Sequence, residues 1–184
     1  PALMSSRPAY GMFFNTFQMK SVMIVESLID EFFSKDLFCK IDRRFKFPCM
    51  TYKFECPYVQ VPPFLYIMPN QITMTDTPNE IRSVQYPTNG KFVEAVMRKW
   101  AVKIYRFIYL RMIGAIFESY GFQFKNKNET GSVRVGQMKF VFILNKDSSD
   151  VEVEVTRDTP VSYEWHKIPG MSCETRISYL IYTL

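Results

Sequence analysis

The stretch from Lys91 to Tyr120 constrains this chain more than any other, because thirty consecutive residues hold one helical pattern without a proline. At ~1.5 Å per residue such a helix runs about 45 Å. Val93, Met97, Trp100, Ile104, Phe107 and Ile108 recur at helical spacing and share one face. Lys91, Arg98, Lys99, Lys103 and Arg106 fall on the opposite half-turn, with Glu94 the only acid among them. Past Arg106 the polar face ends, and Leu110, Met112, Ile113, Ala115, Ile116 and Phe117 surround a single Arg111. The first half reads as a surface helix with a basic stripe and the second as a core helix. Asn89-Gly90 reads as a turn, Thr88 or Asn89 as the N-cap, and Gly121 as the stop.

Upstream, Ser21 can cap a shorter helix over Val22 to Ser34. Val25, Leu28, Ile29, Phe32 and Phe33 form its buried side, and Glu26, Asp30 and Glu31 face outward. Residues 1–19 precede it as an arm rich in aromatics and Met (Tyr10, Met12, Phe13, Phe14, Phe17, Met19) with no clean period. Such an arm rarely stays in water: it packs over its own domain or inserts into a neighbour, and the neighbour is the preferred reading. Tyr10, Met12, Phe13, Phe14 and Phe17 are therefore the candidate partner-binding residues.

Between the helices, Lys40, Arg43, Arg44 and Lys46 alternate loosely with Phe38, Ile41, Phe45 and Phe47. Bases interleaved with rings suit single-stranded nucleic acid, cation to phosphate and ring to base. They equally describe an edge strand guarded by cations, which is the preferred reading. Met50, Tyr52, Phe54 and Cys56 then alternate with Thr51, Lys53 and Glu55 as a half-buried strand. The apolar run Val59–Met68, punctuated by Pro62, Pro63 and Pro69, reads as an edge strand or an extended cover, since proline cannot donate to a ladder. Gln71–Asp76 is a further strand and residues 77–89 a polar loop.

After Gly121 the pattern is antiparallel sheet. Strands start at Phe122 and Val133, Met138–Leu144 reads as buried on both faces, and Val151, Val153 and Val155 alternate with Glu152, Glu154 and Thr156. Tyr163–His166 and Thr175–Leu184 complete the strands. The expected fold is α+β, an antiparallel, barrel-like sheet packed around one long central helix with a shorter N-terminal helix. Residues 1–19 form the arm and 20–184 a single domain.

Composition sharpens the functional reading. The 17 Phe, 11 Tyr and 11 Met are more large apolar side chains than one small core needs, so some belong in a contact surface. The net charge of +5 and pI near 9.0 favour anionic partners. Residues 91–111 carry six bases and one acid, whereas residues 147–158 are acidic, as in a protein whose one end complements the other. Arg43, Arg44, Lys46, Lys91, Arg98, Lys99, Lys103 and Arg106 are the candidate contacts to nucleic acid or an anionic surface.

No catalytic motif stands out. His166 is the only histidine, paired along its strand with Glu164 and near Cys173, but GxSxG, GxGxxG and GxxxxGK[ST] are all missing. Glu152 and Glu154 share one strand face and would hold a divalent ion inside a barrel. The valines opposite have the stronger claim on the core, which sends the glutamates to solvent. The four cysteines form no CxxC pair, and buried free thiols in a reducing compartment are expected. The start carries no signal-peptide pattern and no window has 18 uncharged apolar residues, so the chain reads as soluble or peripheral, intracellular (cytoplasm or nucleus) or inside a virion.

The order of the 114–144 segment, helix end, Gly121-Phe122 strand and the strand after Gly136, resembles helix-plus-barrel subunits of transcription assemblies. The small basic body with an aromatic arm resembles rhabdovirus-type matrix proteins. No motif carries individual residues across from either family. The sequence thus points to a non-enzymatic structural or assembly protein without cofactor, metal or small-molecule substrate. It would self-associate or join a larger protein assembly through aromatic and Met-rich surfaces, with a basic face against nucleoprotein, RNA or anionic membrane. The alternatives are an RNA-binding protein without strong sequence preference, and a phosphoryl-transfer or hydrolytic enzyme using the strand-borne glutamates.

Overall fold

The computed structural model describes residues 13–33, 37–75, 81–85, 90–127, 130–156, 160–164 and 172–183, with the backbone alone at 81–85, 90–92, 160–164 and 183. The chain divides into two compact units, Pro1–Ile104 and Tyr105–Leu184. The long helix α2, Gly90–Ser119, supplies residues to both.

In the first unit, helix α1 covers Thr16–Leu28, starting six residues before Val22. The cause is a capping box in the aromatic segment. The Asn15 side chain accepts from the Gln18 N–H at 2.8 Å, and the Gln18 side chain accepts from the Asn15 N–H at 3.2 Å. Ser21, the expected cap, is buried inside the helix. The chain continues into a single π-helical turn, Ile29–Phe33, whose wider winding lets Phe32 and Phe33 both face inward.

Five strands follow in an antiparallel meander: β1 Lys40–Lys46, β2 Cys49–Glu55, β3 Phe64–Ile67, β4 Gln71–Thr75 and β5 Ile81–Gln85. β1 is an edge, as its cations suggest. Met50, Tyr52, Phe54, Leu65, Ile67, Ile72 and Met74 make the buried face. Phe54 lies 4.9 Å from Phe33 and 5.3 Å from Trp100 between ring centroids. Two expectations fail here. β3 is an inner strand, paired to β2 and β4, because Pro62 and Pro63 lie before it and Pro69 after it, so none removes a ladder N–H. Pro63 even accepts a bond from the Phe54 N–H at 2.8 Å. And β5 lies within the stretch expected as loop.

The second unit holds another antiparallel meander: β6 Phe124–Lys127, β7 Thr130–Val135, β8 Met138–Leu144, β9 Val151–Thr156 and β10 Pro160–Glu164, then helix α3, Cys173–Thr183. Gly121, at φ +88°, ends α2: its N–H bonds Glu118 O, and the Phe122 N–H bonds Phe117 O, which closes a Schellman turn. β8 is buried on one face only. Phe140, Phe142 and Leu144 point in, whereas Lys139 and Ile143 are exposed, because an apolar side chain at a strand position does not by itself bring a second covering layer. The segment expected as a last strand is helical. Ile177, Tyr179 and Ile181 alternate, but the buried residues are Cys173, Arg176, Ile177 and Leu180, a helical spacing. The Ser172 hydroxyl accepts from the Thr175 N–H at 3.2 Å to start it.

The α+β class stands, and among the described residues the sheets form no closed barrel. Among the described residues there are two open meanders, whose outer strands (β1 and β5, β6 and β10) are each paired on one side. Every pairing joins consecutive strands, so nothing closes either sheet on itself.

One contact in the second unit carries a prediction. The Phe124 ring stacks on Phe117 at 6.0 Å and lies over Gly131, where an added Cβ would overlap its Cζ and stand 2.5 Å from Cε1. A Cβ on Gly114 would meet the same ring at 3.0 Å. Gly131→Ala should therefore cost about 1–3 kcal/mol by overpacking. In a Phe124→Ala background the same change should be nearly neutral. Urea denaturation of the four proteins in that cycle checks it, and equal costs in both backgrounds would mean the ring does not occupy that space.

Candidate interaction site

The basic residues do not form one surface. Arg43, at the centre of β1, turns towards α1 and holds Glu26 with two bonds of 2.8 Å, Nε to Oε2 and Nη2 to Oε1. Glu26, expected outside, is only 3% exposed. Its bond raises the Arg43 pKa, with burial opposing. Arg98 on α2 likewise holds Glu31, Nη1 to Oε2 at 2.8 Å and Nη2 to Oε1 at 2.7 Å, and its guanidinium lies 5.3 Å from the Phe32 ring centre. Arg106, on the half-turn expected to be polar, is buried. Acids of α1 and the π turn thus meet cations of β1 and α2 within one unit, at Glu26–Arg43 and Glu31–Arg98.

Arg44, Lys46, Lys99 and Lys103 do remain at the surface. The Arg44 side chain is 76% exposed, with Asp42 at 3.1 Å. The Lys91 side chain lies outside the described residues.

The aromatic candidates divide in the same way. Phe17 is in the core, held there because α1 begins before it. Phe13 and Phe14 cross β1 instead of projecting from the body. Phe13 lies 5.7 Å from Phe45 and 6.0 Å from Phe47, and Phe14 lies 5.3 Å from Phe45. Two side-chain bonds fix that path: Asn15 donates to Pro69 O and Gln18 to Pro48 O, both at 2.7 Å. The β1–β2 turn is Phe47-Pro48, with a cis peptide between them. Even so, Phe13 is 51% and Phe47 69% exposed. The outcome is a ring cluster at the hairpin tip, while Arg44 and Lys46, which alternate with Phe45 along β1, belong to the opposite face of the strand. Phe45 and Phe47 were legible only as strand residues; the sequence signal for the cluster was an aromatic next to a turn proline at a basic strand end. Tyr10 and Met12 lie outside the described residues.

A groove of about 500 Å³ runs beside α1, with Met19, Met23, Ile24 and Leu28 along it and the Glu31–Arg98 pair at its rim. In the second unit Val151 and Val153 are buried, while Glu152 is exposed and Glu154 half-exposed, as the alternation suggested. No group of three His, Cys, Asp or Glu is placed to hold a metal ion among the described residues, and His166 lies outside them. All four cysteines are free thiols, but only Cys173 is buried; Cys39, Cys49 and Cys56 are half-exposed. Among the described residues no helix is long and apolar enough to cross a membrane. No protein-family model matches the chain, and no curated protein matches it.

Proposed function

We propose that this chain is a non-enzymatic assembly protein that associates with further copies of itself through the ring cluster of Phe13, Phe45 and Phe47, and that the exposed cations Arg44, Lys46, Lys99 and Lys103 face an anionic surface such as RNA, nucleoprotein or lipid headgroups. The carrying observation is that two phenylalanines at one hairpin tip, in ring contact, stay more than half exposed. Apolar area of this kind is worth about 25 cal/mol per Å² once covered, and aromatic residues are enriched at the core of protein interfaces. The rings ask for a counter-surface with apolar side chains at its surface. The chain carries one in the outward residues of β8, Val141 and Ile143, beside Glu152 and Glu154. A contact between two different patches is heterologous, so association should grow with concentration instead of stopping at a dimer. Four free thiols suit a reducing compartment, inside a cell or a virion.

Sedimentation velocity over a wide concentration range tests this. The chain should associate, and Phe13→Ser with Phe47→Ser should weaken association ~30-fold or more, equivalent to about 2 kcal/mol for a hot spot. A strict monomer that also ignores heparin and anionic vesicles removes the proposal.

Sequence-tolerant RNA binding is the second reading, favoured by the interleaving of Phe45 and Phe47 with exposed Arg44 and Lys46. With Arg43 and Arg98 engaged by carboxylates and Arg106 buried, Arg44, Lys46, Lys99 and Lys103 carry it. The slope of log affinity against log salt should then stay near −3, at about −0.7 per phosphate for single strands. Arg44→Glu with Lys46→Glu abolishes binding if this reading holds.

A further inference from the structure

Two thiols lie at the open end of the β1–β2 ladder. Lys40 pairs with Glu55 at the last step of the ladder, and Cys39 and Cys56 are the next residues outward on the two chains. Side chains at directly opposed antiparallel positions have Cβ atoms about 4.5–5.5 Å apart, and a disulfide needs about 3.5–4.5 Å. A small approach is enough, and both residues have room for one because they lie outside the regular pairing. Cys39 follows Phe38, which stands in the left-handed region at φ +54°, and Cys56 begins a turn closed by the Val59 N–H on its carbonyl at 3.3 Å. Both thiols are half-exposed, hence reachable by a small molecule. The Cys56 thiol donates to Leu37 O at 3.6 Å, which ties it to the segment that carries Cys39. Cys49 sits at the far end of the same strand, opposite Lys46, and Cys173 lies in α3.

We propose that Cys39 and Cys56 form a hydroperoxide-reactive dithiol site, with Cys56 as the attacking thiolate and Cys39 as the resolving thiol. The Cys56 sulfur attacks the terminal oxygen of a hydroperoxide ROOH. An S–O bond forms, the O–O bond breaks, and the alkoxide leaves as ROH after taking a proton. Cys56 is then a sulfenic acid, its sulfur oxidised by two electrons and the peroxide reduced by two. The Cys39 sulfur, giving up its proton, attacks the Cys56 sulfur and expels hydroxide, which leaves with that proton as water. In sum, two thiols and ROOH give one disulfide, ROH and water, and an external dithiol reverses the disulfide by exchange.

The division of roles follows from the effect of one thiol on the other. The Cys39 thiol donates to Cys56 and brings its pKa down to about 7, against the effect of burial and with help from the Tyr58 N–H. Cys39 moves well up for the same bond and for its own burial, so the first proton lost is that of Cys56. The Leu37 carbonyl accepts from Cys56 only while it is protonated. Cys39 is the titratable group facing it, with Lys40 and Glu55 one step along the ladder.

The test uses the full chain, fully reduced and then exposed to micromolar hydrogen peroxide. Intact mass should fall by the two hydrogens of one disulfide, and non-reducing peptide mapping should find Cys39 joined to Cys56. In Cys39→Ser the reaction should halt at a sulfenic acid that dimedone traps on Cys56. In Cys49→Ser the disulfide should form as before. At pH 7 a thiol of pKa about 7 is half thiolate against about 3% for one of ordinary pKa, a ratio of ~15 that its lower nucleophilicity cuts to about threefold. Iodoacetamide competition on the unmodified chain should show that preference for Cys56 and a rate that rises through pH 7, and it needs no variant to fold. Dimedone or iodoacetamide reacting first at Cys49, or peroxide giving only intermolecular disulfides, overturns the proposal.

Discussion

Arg43→Met should lower the folding free energy by about 3–5 kcal/mol, and adding Glu26→Met should restore most of that loss. Arg43 itself is a quarter exposed, but Glu26 is 3% exposed and both its oxygens accept from the guanidinium. Removing the arginine strands a carboxylate away from water, the situation in which a buried pair costs most to break. Removing both partners leaves an apolar contact of similar volume, which is often neutral or better. The Glu31–Arg98 pair is the internal control. Its geometry is as good, but both side chains are about 40% exposed, so water takes over when either is lost. Arg98→Met should cost at most about 1–2 kcal/mol, including the lost contact with the Phe32 ring. Urea denaturation reports all three variants without screening the charges. Equal costs for Arg43→Met and Arg98→Met would show that burial of Glu26 is not what separates the two pairs.

Trp100→Ala is expected to be as damaging, at about 3–5 kcal/mol. Trp100 is where α2 meets the first sheet and the π turn. Its ring lies 5.3 Å from Phe54 and 6.4 Å from Phe33 between centroids, and its Nε1–H donates to Thr75 O at 2.7 Å. The Thr75 hydroxyl bonds both the N–H and the carbonyl of Phe64, so β3 and β4 are tied to the same point. Trp100→Phe separates packing from polarity, since it keeps most of the buried area and loses only the donor. It should cost about 1–2 kcal/mol. If Phe proved as costly as Ala, the hydrogen bond and not the ring would be the principal contact.

Much of this architecture is written in local periodicity. A single uninterrupted helical pattern with a glycine stop fixes α2 almost to the residue. Val93, Met97, Trp100, Ile104 and Ile108 are buried as their spacing demands, with Phe107 half-buried at the margin. The alternations at 49–55 and 151–156 determine which side chains point in, because a strand has only two faces and valine has the better claim on the inner one. The cations of β1 announce an edge for the same kind of reason, since no neighbour there needs the space.

Tertiary structure decided what local pattern leaves open. The β1 and α2 cations look alike in sequence, but Arg43 and Arg98 reach carboxylates of α1 and the π turn, while Arg44 meets only Asp42 of its own strand and Lys99 stays at the surface. Which outcome a cation meets depends on the group opposite it in space, and Glu26 and Glu31 lie 17 and 67 residues away. α3 looks like a strand in sequence because Ile177, Tyr179 and Ile181 satisfy a period of two, whereas the residues buried in the fold, Arg176, Ile177 and Leu180, follow a helical one. The ring cluster joins Phe13 and Phe14 to a hairpin tip thirty residues on, and the Cys39–Cys56 pair exists only because strand register brings both to the same end of the ladder. Periodicity tells a residue which way to face; only the folded chain tells it what it faces.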